Sequence, residues 1–488
     1  MNKRKFVVLG AGTAGWITAH YARILFPDDD ITLVYSEAKG TVGVGEATTP
    51  QMVSFLEDIG IDLLHFLKTV GGTIKHGISF ENWNGIGSHY YHPFIENITE
   101  FGVPNFWSHD CWEVYNKLLI NKNLPFDEYL YQCKLINQNK IDLNHTNFAV
   151  HFNTYKFAKY MKWFAESSSK NIKMIEGEVI SFEQNDNGDI KKVILTDQTV
   201  NCDFVFDCSG FAKLVIGKLY NQEWISYKQH LPMDKAISFW IDSGETLKPS
   251  TSAVAMKYGW VWKIPLQDRT GCGYVYDSTY INAEQAQHEA EEYFQQKLNV
   301  RKEIKIDAGR FKNVWVNNCI AVGLSGNFIE PLESTSIWLE LSLLDNFKHF
   351  ANEIDKPNKD SIALFNEIIG NEVDEKMNFV YMHYMTKRND SDFWREFRDK
   401  HPMPEKLKKL WPFIVNNNLR YFQLKTSMCP GTFPLMSYLW ICQGLELFET
   451  PGNLDMFENV QPSPEEYKQI IDEWISTAPD QKTFLSSL

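Results

Sequence analysis

The residues that could carry chemistry fall in separate stretches, and the first contains three glycines. Gly10, Gly12 and Gly15 have the spacing G-x-G-x-x-G. In this pattern the first glycine permits a tight turn, the second lets the backbone approach a pyrophosphate, and the third lets a helix pack on a strand. Amide groups at the start of the following helix then face the phosphates. The spacing therefore predicts dinucleotide binding rather than a purely structural turn.

A second stretch, GLSGNFIEPLESTSIWLELS, places Pro331, Ser334 and Thr335 just before a predicted helix. Backbone amides at a helix start favour an anion. A plain helix cap explains the same residues equally well, and both interpretations stay open. Lys75, in GGTIKHGISF, is a reagent only if it is desolvated and has a partner, and a lysine in such a stretch is more often at the surface.

Two tryptophans occur one residue apart in GWVWKIPL, residues 259–266. The alternation places Trp260 and Trp262 on the same side of a predicted strand, which Pro265 ends. An ordinary half-buried strand has the same pattern, so the stretch alone does not indicate a function.

The elements that position these residues begin with a βαβ unit, in which a strand at KFVVL, a helix after the glycines and a strand at ITLVYS follow one another. The acidic residue expected to hold a ribose is replaced by Tyr35, and Glu37 comes two residues late. Residues 84–145 are aromatic and predict an irregular insertion rather than sheet. A hairpin turned at 185–188 follows, and the pattern is helical after about residue 337.

Bulk composition predicts a globular protein and excludes several partners. The chain has 488 residues, 44% hydrophobic content and a formal charge of -14, which disfavours nucleic acids and anionic membranes. The apolar run Phe6–Leu9 is too short for a signal-peptide core, and no window approaches the roughly 20 apolar residues of a membrane span. Eight cysteines without a C-x-x-C pair suggest neither disulfides nor a metal site. We therefore expect a cytoplasmic protein.

Taken in order, these stretches resemble the flavin-dependent tryptophan halogenase family. The matching segments are GAGTAGW (10–16), VGVGEATTP (42–50), Lys75, FDCSG (206–210), GWVWKIP (259–265) and EPLESTSI (330–337), and the likeness extends to MHYMTKRNDSDFW (382–394) and FLSSL (484–488). The resemblance implies an α/β fold in which a Rossmann-like FAD-binding lobe with mixed sheets, residues 1–83 and 146–345, is joined to a mainly helical second lobe. The second lobe comprises residues 84–145 and 346–488 and covers the substrate.

The resemblance also implies the reaction. Family members use reduced FAD, O2 and a halide to make hypohalous acid, which travels through a tunnel to an electron-rich arene. Because the chain has no second dinucleotide fingerprint, a separate NAD(P)H-dependent flavin reductase is the expected partner. A homodimer is compatible with the sequence. A flavin-dependent aromatic monooxygenase and a catalytically silent FAD-binding protein remain the alternatives.

Site residues are assigned by the same resemblance. Lys75 and Glu333 match the catalytic pair, and Thr335 and Ser336 match the halide site, with Ser336 standing where the family usually has glycine. Trp260 and Trp262 would shield the flavin from organic substrates, since bulky rings fill volume without supplying a nucleophile. The implied cofactor contacts are Gly10, Gly12, Thr13, Ala14, Gly15, Glu46, Ala47, Thr48, Val179, Leu324 and Ile337, and the implied arene pocket is lined by His92, Phe94 and Trp440.

The resemblance weakens at the substrate. The stretch CPGTFPLMSYLWICQGL, residues 429–445, is shorter than in tryptophan-specific members and lacks the tyrosine and glutamate residues that grip the amino-acid end of tryptophan. A zwitterion without buried partners is costly to bind. The sequence therefore predicts an indole- or phenol-like arene rather than free tryptophan.

Overall fold

A computed structural model describes residues 3–37, 45–94, 109–167, 172–419, 424, 433–450 and 463–488. The strands are β1 Lys5–Leu9, β2 Asp30–Tyr35, β3 Glu46–Ala47, β4 Thr73–Lys75, β5 Gly77–Glu81, β6 His89–Pro93, β7 Ala149–Phe152, β8 Ile172–Glu176, β9 Val179–Gln184, β10 Ile190–Leu195, β11 Thr199–Asn201, β12 Phe204–Asp207, β13 Trp224–Ser226, β14 Lys235–Ile241, β15 Thr251–Met256, β16 Gly259–Pro265, β17 Thr270–Tyr276, β18 Lys302–Lys305, β19 Gly309–Phe311, β20 Trp315–Val316, β21 Cys319–Ala321 and β22 Asn327–Phe328.

The α-helices are α1 Thr13–Leu25, α2 Gln51–Asp58, α3 Leu63–Val70, α4 His109–Asn121, α5 Phe126–Tyr129, α6 Tyr131–Asn137, α7 Thr154–Ser167, α8 Ala283–Phe294, α9 Thr335–Phe350, α10 Lys359–Met382, α11 Asp392–Lys400, α12 Glu405–Val415, α13 Leu435–Gly444, α14 Pro464–Thr477 and α15 Gln481–Ser486. Where the structure describes the chain, none of these helices is both long enough and apolar enough to cross a membrane.

The predicted βαβ unit forms the centre of a six-stranded sheet with the order β20-β21-β12-β1-β2-β8. Strand β1 pairs in parallel with both β2 and β12. Four of its five residues are buried, as expected for a parallel strand covered on both faces. The predicted hairpin is also confirmed, because β9 and β10 pair antiparallel and the Gly188 amide donates to the Asn185 carbonyl.

A second, seven-stranded sheet has the order β18-β14-β17-β16-β15-β5-β6. It is antiparallel except where β15 pairs with β5. One face of this sheet packs against the helices that follow α9, and the largest apolar core lies between them. A separate core lies between the six-stranded sheet and the helices α1 and α9.

The prediction of an irregular insertion from residue 84 is wrong for residues 89–93. These residues form β6, which pairs antiparallel with β5 from Gly77↔Pro93 to Glu81↔His89. The strand is stabilised by a cross-strand aromatic pair, in which the rings of Phe80 and Tyr90 stack at 4.8 Å. The proposed boundaries of the two lobes stay a prediction.

A three-stranded sheet, β3-β7-β4, lies where the two large sheets meet. Strand β4 carries Lys75 at its last position and pairs with β7 on one side. Its other contact comes from the C-terminal helix, because Gln481 Oε1 accepts a hydrogen bond of 2.7 Å from the Ile74 amide. Gln481 Nε2 also donates to the Leu247 carbonyl at 3.1 Å.

Candidate functional site

A cavity of about 1380 Å³ lies between the six-stranded and seven-stranded sheets, at the carboxyl ends of β1 and β2. This is where open α/β sheets bind dinucleotides. Gly10 has φ +109°, and a Cβ atom there would lie 2.5 Å from the Cys208 carbonyl oxygen. Gly12 lines the cavity with nothing within 4 Å of an added Cβ, and it precedes α1 without a side-chain cap. The helix amides are therefore accessible to phosphate.

Most of the predicted cofactor residues line this cavity. They are Gly10, Gly12, Thr13, Ala14, Glu46, Ala47, Val179, Leu324 and Ile337. Gly15 and Thr48 do not line it. Gly15 lies under the turn, where an added Cβ would be 1.8 Å from the Gly10 carbonyl oxygen, and the Thr48 hydroxyl donates to the Val150 carbonyl at 2.7 Å. Tyr35 and Glu37, at the position expected to hold a ribose, both line the cavity.

Two alanine substitutions test the glycine turn separately from the fold. Gly12→Ala should keep the wild-type unfolding temperature but weaken FAD binding by about tenfold, or about 1.4 kcal/mol, because its methyl group projects where phosphate must approach. Gly15→Ala should lower the free energy of unfolding by about 1–3 kcal/mol, because its methyl group clashes with Gly10. Thermal unfolding and FAD fluorescence titration measure the two effects. Equal FAD affinities of Gly12→Ala and wild type would contradict the assignment.

The predicted helix after Pro331 begins at Thr335 as α9, and the residue before it has an unusual backbone. Ser334 has φ +56° and makes no side-chain cap. The Ser334 hydroxyl therefore does not cap the amides at the start of α9. It accepts a hydrogen bond from Lys75 instead. Ser336 lines the large cavity, whereas Thr335 is fully buried and does not.

Lys75 is fully buried between two acceptors. Its Nζ donates to the Thr48 carbonyl and to Ser334 Oγ, both at 2.8 Å. The ammonium also lies 5.0 Å from the centre of the Phe94 ring. Burial lowers the pKa of Lys75 to about 7, although the negative charge of Glu333 opposes this shift. The desolvation and partner that a lysine reagent needs are both present.

Glu333 is held between two histidines. His92 Nδ1 donates to Glu333 Oε2 at 2.7 Å, and His383 Nε2 lies 2.7 Å from Oε1. Burial favours the neutral acid, but the charge of His92 and the contacts with His383 and His92 outweigh it and lower the pKa of Glu333 to about 2. The carboxylate is therefore ionised at neutral pH.

A second, small cavity of about 30 Å³ brings the predicted substrate residues together with Glu333. It is lined by His92, Phe94 and Trp440, as predicted, and also by Trp338 and Phe433. Of the stretch 429–445 that the substrate prediction used, residues 429–432 lie outside the described residues. No lysine or arginine occurs among the described residues that line this cavity.

The two cavities share a thin partition made of two segments. Glu46 and Ala47 face the large cavity, whereas Thr49 and Pro50 face the small one. The segment 331–336 also faces both cavities. Pro331, Ser334 and Ser336 line the large cavity, and Glu333 lines the small one. Lys75 joins both segments through its hydrogen bonds. Its amine therefore lies within the partition.

Trp260 and Trp262 share one face of β16, as the alternation predicts. Both pack in the core beside the C-terminal helices, with ring centres 6.3 Å apart, whereas Val261 packs on the opposite face. Trp262 lines the large cavity. Trp260 stands behind it, 1% exposed, and donates from Nε1 to Glu330 Oε2 at 2.8 Å.

Three residues of the site were not predicted from the sequence. They are His383, Glu330 and, as a hydrogen-bond acceptor for Lys75, Ser334. His383 falls in the segment MHYMTKRNDSDFW, but nothing in its spacing connects it to Glu333. Glu330 accepts hydrogen bonds from Trp260 and from the Tyr384 hydroxyl, the latter at 2.5 Å. Burial raises the pKa of Glu330 to about 7. Buried acids with such partners are found only when the fold is known.

The fold and the large cavity together define a dinucleotide-binding α/β enzyme with a buried lysine and glutamate beside the cofactor site. No group of histidine, cysteine, aspartate or glutamate in the described ranges could hold a metal ion. A family model described as Tryptophan halogenase matches residues 5–453. The chain therefore belongs to the tryptophan halogenase family.

Individual relatives agree with this assignment. The chain is 31% identical over 445 residues to RebH, the tryptophan 7-halogenase of Lentzea aerocolonigenes, covering 83% of this chain and 81% of RebH. Among solved structures, it is similar to a flavin-dependent halogenase from Xanthomonas campestris, with TM-score 0.88, 27% identity and coverage of 99% and 98% of the two chains. BrvH, a flavin-dependent halogenase from Brevundimonas sp. BAL3, superposes with TM-score 0.86 at 27% identity, covering 100% of this chain and 99% of BrvH.

Membership in this family establishes an enzyme of the flavin-dependent halogenase type, which uses FADH2, O2 and a halide. The fold prediction is likewise confirmed, because the structure combines mixed sheets with a Rossmann-type FAD-binding fold. The open glycine turn and the volume of the large cavity fit FAD.

Proposed function

We propose that this enzyme halogenates an electron-rich arene that binds against the residues lining the small cavity, with Lys75 and Glu333 as catalytic residues. The observation that carries the proposal is the position of the Lys75 amine in the partition between the two cavities. When bound and reduced, FAD supplies the activation of O2 that oxidises a halide to hypohalous acid. Lys75 is placed to receive that oxidant on one side and to present it on the other.

The hydrogen bonds of Lys75 leave one position of its nitrogen for the oxidant. The two acceptors, Thr48 and Ser334, take two N–H groups of the amine. With a pKa of about 7, the nitrogen then presents either a third N–H or a lone pair at neutral pH. The third N–H can donate to hypohalous acid. Alternatively, the lone pair attacks the halogen, the halogen–oxygen bond breaks, and the departing hydroxide takes a proton from the nitrogen, which gives a haloamine and water. The nitrogen itself lies 5.0 Å from the centre of the Phe94 ring, which lines the small cavity.

Glu333 supplies the negative charge that the aromatic reaction needs. Attack of an arene on an electrophilic halogen creates a cationic intermediate, which must then lose a proton. An ionised carboxylate in a dry pocket stabilises that cation and accepts the proton. We propose that His92 and His383 keep Glu333 ionised and fix its orientation.

The halide site is proposed at the uncapped start of α9. The amides of Thr335 and Ser336 are the donors there, and Ser336 faces the cofactor cavity. We also propose that Trp262 separates the arene from the cofactor, with Trp260 and Glu330 supporting it from behind. This arrangement favours halogenation over direct oxygenation of the arene.

An indole or phenol is the proposed substrate class. The described lining of the small cavity includes several aromatic rings and contains no lysine or arginine for a substrate carboxylate, so binding a zwitterion there is costly. Several relatives, RebH among them, are named tryptophan halogenases, and free tryptophan is therefore the alternative substrate to test. A separate NAD(P)H-dependent flavin reductase as partner and a cytoplasmic setting complete the proposal.

The proposed function is tested by mass spectrometry of products. The purified enzyme is supplied with FAD, a flavin reductase and NADH, and chloride, bromide and iodide are tested separately against indole, a phenol panel and tryptophan. We expect a halide-dependent mass increase on an indole or phenol, absent without enzyme. Addition of oxygen alone would identify the monooxygenase alternative, and no product from any arene would favour the silent flavoprotein.

A further inference from the structure

Two carboxyl groups, Glu46 partly buried and Glu340 buried, face the same end of the cofactor cavity. Glu46 lies on β3 and Glu340 on the second turn of α9, and both line the cavity wall. Glu340 is 5% exposed, and its Oε2 atom has no hydrogen-bond partner among the described residues. A buried polar atom is nearly always satisfied. Because Glu340 also lines the cavity, its incompletely paired carboxyl group is available to a ligand bound there.

Both carboxyl groups lie at the first turn of α1. A Cβ atom on Gly323 would be 2.6 Å from Glu340 Oε1 and 2.9 Å from the Cβ of Ala14, so the Glu340 carboxyl group is next to that turn. The side chain of Thr13, on the same turn, lies close enough to Glu46 to lower its pKa in part. The uncapped amides of this turn are where a dinucleotide places its pyrophosphate. Two acids thus flank the expected phosphate position.

The surroundings of Glu46 and Glu340 favour the neutral form of both carboxyl groups. Burial raises the pKa of Glu46 to about 7, and burial together with the charge of Glu46 raises the pKa of Glu340 well above its usual value. The Cys208 thiol lies behind them, and burial raises its pKa as well. The other charged residues around the cavity are Lys159, Lys162, Lys218, Lys302, Glu37, Glu166 and Glu178.

We propose that Glu46 and Glu340 are both protonated in the complex and donate hydrogen bonds to the phosphate and ribityl oxygens of FAD, so that FAD binding takes up a proton. The proposal rests on the cofactor that the family uses. A protonated carboxyl group donates to a phosphate oxygen, whereas an ionised one repels it. The proton comes from solvent and neutralises whichever carboxylate is ionised in the free protein.

FAD binds the form of the protein in which both carboxyl groups are neutral, and this sets the sign of the pH dependence. Below about pH 7 the pair is neutral before FAD arrives, and binding needs no proton. Above about pH 7 Glu46 is ionised in the free protein, and each binding event must protonate it. The dissociation constant of FAD should therefore be constant at low pH and rise by up to about tenfold per pH unit above about pH 7.

Titration of the apoprotein with oxidised FAD, followed by fluorescence between about pH 6 and about pH 8.5, tests the proposal. Glu46→Gln and Glu340→Gln keep a hydrogen-bond donor but cannot titrate. We expect each to bind FAD at low pH about as the wild type does and to lose most of the rise at high pH. Glu166→Gln, an exposed acid at the same cavity, is the matched control and should keep the wild-type slope.

A second readout does not depend on the variants folding. Calorimetry of FAD binding to the wild-type enzyme, in two buffers with different ionisation enthalpies, measures the protons taken up, and we expect close to one near pH 8.5. A pH-independent dissociation constant with no proton uptake would overturn the pair while leaving FAD as the cofactor. Glutamine variants with the wild-type slope would also overturn it. Failure of the wild type to bind FAD at any pH would overturn both this proposal and the cofactor assignment.

Discussion

Lys75→Ala will abolish the halogenated arene while leaving the formation of hypohalous acid largely intact. The Lys75 amine lies within the partition and does not line the cofactor cavity, so its loss should not disturb the oxidant's formation. We expect product formation to fall by about 10⁴-fold, the upper range for one positioned acid–base group. Product is measured by mass spectrometry, and free hypohalous acid is trapped with a reactive diketone in the same reaction.

Lys248→Ala is the matched control for this experiment. Burial also lowers the pKa of Lys248, but its ammonium lies 5.6 Å from the centre of the Tyr91 ring rather than between Thr48 and Ser334. It should halogenate at nearly the wild-type rate. A Lys75→Ala enzyme that retains the normal rate and the same product would remove Lys75 from the mechanism.

Lys75→Met separates a catalytic defect from a folding defect. The pKa of Lys75 is lowered from 10.5 to about 7, so the folded protein binds fewer protons than the unfolded chain between these values, and wild-type stability rises with pH across that range. Below about pH 7 the ammonium is charged and buried, and its penalty is fully present. An apolar side chain of similar length should therefore stabilise the inactive enzyme by about 1–4 kcal/mol near pH 7. Thermal unfolding measures this gain.

Glu333→Gln will reduce the turnover number strongly and leave FAD affinity unchanged. Glu333 is ionised because its pKa is about 2, and glutamine preserves its shape but removes the charge that would stabilise a cationic arene. We expect a loss of about 10²–10³-fold, as for other preorganised electrostatic groups. Single-turnover kinetics with a preformed supply of reduced FAD measure the chemical step, and fluorescence titration measures FAD binding.

Glu330→Gln provides an isosteric comparison three residues away. The pKa of Glu330 is about 7, so this acid is partly neutral already, and glutamine can still accept the hydrogen bonds of Trp260 and Tyr384. Most of the turnover should remain. Similar losses in both variants would show that the charge of Glu333 has no special role.

The local elements of the fold could be predicted because their signals are contiguous. The glycines after β1 and the apolar runs of β1 and β2 specify a βαβ unit within 31 residues of sequence, from Lys5 to Tyr35. The start of α14 is another such case, since Ser463 and Glu466 form a capping box with Pro464 between them. Each of these patterns depends only on neighbouring residues.

The environment of the proposed catalytic residues could not be derived in this way. The partners of Lys75 come from positions 27 and 259 residues away, and only the packing of β4 between β7 and the C-terminal helix brings them together. Strand β6 was missed for a related reason, because an aromatic segment becomes an edge strand only when β5 is available to pair with it. Whether a residue is buried, and which distant residue it pairs with, cannot be recognised from that residue and its neighbours in the sequence.

The attachment of β4 to Gln481 connects α15 to the strand that carries Lys75. That strand pairs with β7 on one side, and the side chain of Gln481 supplies a bond on the other. A substitution at Gln481 therefore acts on β4 through one side-chain hydrogen bond, without changing a residue that lines either cavity. In this chain, α15 and β4 form one structural unit, and an engineered exchange of either element has to include both.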